Sequence, residues 1–221
     1  MDFRVTSVSQ SGNGISKFGL SDLFVSGSYN TGGGGLITAG VKIPLSKSDA
    51  REGDVPLPMD YQASLGTYDL ILGYGRSFGK FQVVLGYQQP LSDNKNAFFP
   101  SLYPGNPVLF AIQSTNSYRR AGDVLLRVSY PFRASDNVML TASVLPIYHL
   151  ANDKYTDAFG AEKEITGSQG LTLNMNLFAD IMLSATSSVQ VSFGMPFVTR
   201  DARPDGLTRK FVAGAEYRVR F

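Results

Sequence analysis

Residues 211–221 read FVAGAEYRVRF. Phe211, Ala213, Ala215, Tyr217, Val219 and Phe221 alternate with Val212, Gly214, Glu216, Arg218 and Arg220. Successive side chains of a β-strand point to opposite faces, so this stretch presents one apolar face and one that is mostly polar and charged. The same period of two recurs over 19–30, 34–45, 65–77, 80–91, 120–131, 137–150, 170–183, 188–197 and 208–221, with a weaker candidate at 2–9. Its apolar sets include Ile37/Ala39/Val41/Ile43, Phe81/Val83/Leu85/Tyr87 and Val189/Val191/Phe193/Met195/Phe197. No segment carries a convincing helical period. The fold expected is all-β.

Composition narrows the class. The chain has 221 residues, 43% hydrophobic and 17% charged, which excludes a disordered tail. With no Cys there is neither a disulfide framework nor a thiolate metal site, and His149 is the only histidine. A net charge of +2 spread along the chain offers no basic stripe for nucleic acid. No apolar run approaches the roughly 18 residues of a membrane-spanning helix.

Alternation fits both a soluble sandwich and a membrane barrel, and three features favour the barrel. Candidate strands run to 10–14 residues, near the length needed to cross a bilayer at a tilt and longer than the roughly 5–6 of soluble strands. Connections alternate between short turns near 30–34, 78–80, 132–137 and 184–188 and long loops at 46–64, 92–119, 151–169 and 198–207. Outward tyrosines (Tyr29, Tyr74, Tyr130, Tyr217) close four of the five strands that run toward the short-turn side, as in an interfacial aromatic girdle. The opposite face carries Asp22, Lys42, Asp69, Asp123, Arg127, Asp180, Glu216, Arg218 and Arg220. In a soluble core each unpaired ion would cost several kcal/mol, whereas in a lumen it is hydrated or paired.

The expectation is a single domain over 1–221, an antiparallel up-and-down transmembrane β-barrel of about ten strands in the bacterial outer membrane. The outward Phe221 fits a signal for the outer-membrane assembly machinery. Such a protein is exported, yet Met1 leads straight into polar sequence. Met1 is then either an artificial start or the mark of a truncation, and if the chain is truncated the intact barrel has twelve or more strands. Pro44, Pro90, Pro146 and Pro196 stand near the long-loop ends of four strands, about fifty residues apart. Proline belongs where a ladder ends or bends; the two readings are termination of pairing and a gap for sideways exit.

The stretches GLSDLFVSGSY (19–29), GGLITAGVKIPLSKSD (34–49) and SLGTYDLILGYGRSFGKFQVVLGYQQPLSD (64–93) resemble the outer-membrane "MetA-pathway of phenol degradation" proteins, distantly akin to long-chain fatty-acid transporters. Ser21 stands where that family's first motif has its second Gly, and Leu65-Gly66-Thr67-Tyr68-Asp69 is one residue short of its third. The resemblance implies a barrel that passes small hydrophobic or aromatic compounds.

The function expected is passive uptake of such compounds, with no enzymatic activity, cofactor or metal. Asp22 and Asp69, with Lys42 on the strand between them, read either as wall bracing or as a polar ring along the passage. Arg127, Glu216, Arg218 and Arg220 read as a second such network. Phe98, Phe99, Tyr103 and Phe110 in the 92–119 loop, with inward Phe178, are candidate contacts for a hydrophobic solute; the loop residues read equally as packing on neighbouring loops. Two alternatives stay open. One is a barrel hydrolase with a rim site around His149, near Asp153 and Asp157; the other is a structural or adhesive barrel with a closed lumen.

Overall fold

The computed structural model describes residues 2–205 and 211–219. Its strands are β1 (Asp2–Gly12), β2 (Ile15–Asn30), β3 (Gly35–Pro44), β4 (Arg51–Glu52), β5 (Val55–Pro56), β6 (Asp69–Phe78), β7 (Phe81–Pro90), β8 (Asp123–Arg133), β9 (Val138–His149), β10 (Lys154–Thr156), β11 (Glu162–Glu164), β12 (Gly170–Met182), β13 (Ser187–Val198) and β14 (Val212–Val219). Ten of them make one antiparallel sheet in the order β1-β2-β3-β6-β7-β8-β9-β12-β13-β14, a meander without crossovers. β4–β5 and β10–β11 are small separate hairpins, and α1 (Pro107–Phe110) is a single helical turn.

The sheet curls into a half-barrel. Arg4 on β1, Arg127 on β8 and Arg218 on β14 line one cavity on its concave side. Among the described residues β1 and β14 are the two edges of the sheet. The pairing carries the alternation from strand to strand. Val41 lies opposite Leu70, and Leu72 opposite Tyr87, on the convex face, while Lys42 lies opposite Asp69 on the concave face. The convex side chains stay open: Tyr29 is 72% exposed, Leu85 52% and Phe197 56%.

Two expectations shift. The weak strand expected at 2–9 runs on to Gly12, and β2 begins at Ile15 rather than 19. Asn13 (φ 52°) and Gly14 (φ 78°) both take positive φ, the two-residue turn whose twist matches a hairpin and for which Asn-Gly is the favoured pair. The strand expected over 208–221 is described only as Val212–Val219. The prolines divide as well. Pro44 and Pro90 end their strands, but Pro146 and Pro196 sit inside β9 and β13, opposite Leu173 and Asn174, where the β12–β13 register shifts.

The long loops share a small core of their own. Ile15 at the β1–β2 tip packs with Leu57, Tyr61 and Leu109, flanked by Tyr103 and Ile112. The Tyr61 hydroxyl donates to the Gly12 carbonyl (3.0 Å) and accepts from Asn13 Nδ2 (3.1 Å), tying loop to hairpin tip.

Candidate functional site

On the concave face, register brings Lys42 (β3) beside Asp69 (β6). Their ion pair is 2.8 Å long, with the side chains 4% and 0% exposed. Thr67 Oγ1 donates to Asp69 Oδ1 (2.7 Å), and Gln88 Nε2 donates to the other carboxylate oxygen. A buried ion pair is tolerable only when its remaining hydrogen-bonding capacity is met in this way. Asp22 is built differently: its carboxylate accepts from the Ser21 hydroxyl (2.7 Å) and the Ser64 hydroxyl (2.6 Å).

At the long-loop end three segments converge into a roof. His149, the last residue of β9, places Nδ1 2.7 Å from Asp123 and Nε2 2.7 Å from Asp153. With both carboxylates ionised, only an imidazolium donating from both nitrogens satisfies this arrangement. Tyr118 donates to Asp153 Oδ2 (2.8 Å), and the Ala121 amide donates to Oδ1 (2.9 Å). Arg120 pairs with Asp123 at 2.5 Å and reaches Asp205 at 3.5 Å, while Arg200 pairs with Asp205 at 2.9 Å. Burial opposes the Arg120 charge, but the carboxylates of Asp123 and Asp205 hold its pKa above the ordinary arginine value. Burial, with Asp205 and Asp153 nearby, pushes the Tyr118 phenol well above its usual range, so it remains a neutral donor.

Toward the short-turn end the charges are wetter. Arg218 reaches Glu216 (3.1 Å) and Asp180 (3.4 Å), and donates to Gln190 (2.9 Å). Gln190 in turn donates to Asp180 at 2.8 Å. The Arg127 guanidinium stands 5.8 Å from the centre of the Phe178 ring, a cation–π distance. Neither Arg127 nor Arg4 makes a hydrogen bond or salt bridge among the described residues.

These groups line two cavities. The lower one, about 590 Å³, holds Arg4, Arg127, Phe178, Asp180, Glu216 and Arg218. The upper one, about 280 Å³, lies under the roof and sets Leu125, Ile147 and Met195 against Arg120, Asp123 and His149. Asn176, Gly194 and Val212 line both, so the two cavities adjoin there. A Cβ at Gly194 would come within 2.5 Å of Asn176 Oδ1, which makes glycine the residue that keeps this neck open. Asn176 Nδ2 is buried without a hydrogen-bond partner among the described residues.

Of the residues singled out from sequence, Asp123 belongs to the roof, Lys42 and Asp69 to the wall pair, and Arg127, Asp180, Glu216, Arg218 and Phe178 to the lower cavity. Asp22 lines neither cavity. Phe98 is fully buried, 6.0 Å from the Tyr103 ring, and the half-buried Tyr103 flanks the loop core. Phe99 lines a shallow depression near Phe159, and Phe110 is exposed. Arg220 and Phe221 lie outside the described residues. Sequence reasoning missed Arg4, Arg120, Arg200 and Asp205. Arg4 sits on the weakest alternator, and the other three lie in loops where no local spacing pairs them.

No protein-family model matches the chain, and no curated protein matches it in sequence.

Proposed function

We propose that this half-barrel belongs to a transmembrane barrel of the bacterial outer membrane that passes small hydrophobic or aromatic compounds down their gradient. The shared lining of the two cavities at Asn176, Gly194 and Val212 carries the reading, because there the space under the roof adjoins the cavity toward the short-turn end. The convex face supports the membrane setting. Leu72, Leu85, Met175, Phe193 and Phe197 are exposed together, and so large an apolar surface needs lipid or a partner. Strand-to-strand pairing meets the backbone's hydrogen-bonding needs within the sheet, and in the closed barrel proposed here its edges β1 and β14 are paired as well. Passage is passive and uses no enzyme chemistry: both His149 nitrogens are engaged by carboxylates, leaving neither to take a proton from a nucleophile.

The test is entry of phenyl glucoside, a neutral aromatic solute that does not cross lipid unaided, into proteoliposomes. Entry above protein-free liposomes is expected, and Asn176→Trp should abolish most of it by filling the neck. No entry with the unaltered chain overturns the reading.

A further inference from the structure

The lower cavity, mainly polar, carries an excess of guanidinium groups beside the apolar side chains of Val84, Phe178 and Phe193. There Arg4, Arg127 and Arg218 face only two carboxylates, Asp180 and Glu216. Those two are already engaged by Arg218. Arg127 is left with the Phe178 ring, and Arg4 lines the same cavity without a hydrogen bond or salt bridge among the described residues. Two guanidinium groups without hydrogen-bonded carboxylates, beside one aromatic face, suit an anion attached to a flat apolar body. A planar anion would take paired N–H donors from an arginine while its ring lies against Phe178.

The upper cavity is more apolar, and Arg120 and Arg200 of its lining belong to the roof network. Arg120, Arg200 and Arg203 line it together with Leu125, Ile147 and Met195. With the His149 imidazolium, Arg120 and Arg200 meet Asp123, Asp153 and Asp205, three cations on three carboxylates. Arg120 Nη1 is buried with no hydrogen-bond partner among the described residues, although the side chain is only 7% exposed. Asp22, the acid bound only by hydroxyls, lies outside both linings and does not offset the excess in the lower cavity.

Resting on the passage proposed above, we infer that its preferred solutes are small aromatic anions, carboxylates or sulfonates, with Arg4 and Arg127 as the residues that set the preference. The carboxylates of the lower cavity then keep the site from holding the anion too tightly to release it.

The experiment compares three solutes in proteoliposomes of the full chain: benzenesulfonate, phenyltrimethylammonium and neutral phenyl glucoside. The two ions carry permanent charges, so neither crosses lipid in a neutral form. Benzenesulfonate should enter roughly five- to tenfold faster than phenyltrimethylammonium, the ratio that one net charge several ångströms away gives in a water-filled space. Arg4→Gln combined with Arg127→Gln should abolish or reverse that ratio while phenyl glucoside enters as before. Equal entry of the two ions, with phenyl glucoside passing, overturns the charge preference and leaves the passage standing. Entry of none of the three overturns both. An unchanged ratio in the double variant removes the assignment to these arginines. Should the double variant fail to pass phenyl glucoside, Arg127→Gln alone decides, and an unchanged ratio there has the same meaning.

Discussion

The roof at the long-loop end and the cluster at the short-turn end use the same chemistry, arginine against carboxylate, in opposite surroundings. In the roof Arg120, Asp123, Asp153, Arg200 and Asp205 have side chains no more than 7% exposed. In the lower cluster Arg218 is 45% exposed and Glu216 44%. A dry network cannot lose a member without stranding a charge, while a wet pair is replaced by water at little cost. The roof therefore holds three chain segments in place, and the lower cluster tunes the field of a cavity without holding the wall.

Four substitutions probe that contrast, read as unfolding free energy from urea titration in detergent micelles. Asp153→Ala strands the His149 imidazolium and removes the Tyr118 acceptor, and should cost about 3–5 kcal/mol. Lys42→Met leaves Asp69 buried with only neutral donors and should cost about 3 kcal/mol. Tyr118→Phe removes one buried donor from Asp153 and should cost about 1–3 kcal/mol. Arg218→Ala should cost under ~1 kcal/mol. A loss for Arg218→Ala as large as that for Asp153→Ala would break the contrast. A loss near zero for Lys42→Met would confine it to the roof, because the wall pair is as dry as the roof.

A second contrast sits in the 151–169 loop, where Lys154 and Glu162 pair at 2.7 Å in the open. Hydrogen bonding to Glu162 raises the Lys154 pKa, and the same bond lowers that of Glu162. The pair is fully exposed to salt screening, so Glu162→Gln should leave the urea midpoint unchanged within error.

Alternation made the sheet legible because a buried or lipid-facing side imposes a period of two wherever a strand runs. Lys42, Asp69, Asp123 and Arg127 could be placed on the concave face from that period alone. Asn13-Gly14 was also legible, since the pair carries its own turn chemistry. The roof was not. Tyr118, Asp123, His149, Arg200 and Asp205 are brought together by strands and loops far apart in the chain, and nothing in local spacing shows that a carboxylate four residues beyond His149 meets its second nitrogen. The aromatic content of the 92–119 loop was visible, but the choice between solute contact and loop packing depended on Leu57 and Tyr61 from another loop.

The meander order has a consequence in time rather than in space. Each strand of the main sheet pairs only with its neighbours along the sheet, and those neighbours are consecutive in the chain once the small loop hairpins are set aside. Hairpins with short turns, such as β6–β7 around residues 79–80, close small loops first. The β7–β8 ladder must wait for residues 91–122 to be spanned, at an added entropic cost of roughly 0.6 kcal/mol per doubling of loop length. Assembly should thus pause between a hairpin-rich first half and the strands from Asp123 onward. The His149 network, whose residues run from Tyr118 to Asp205, then forms on the later side of that pause.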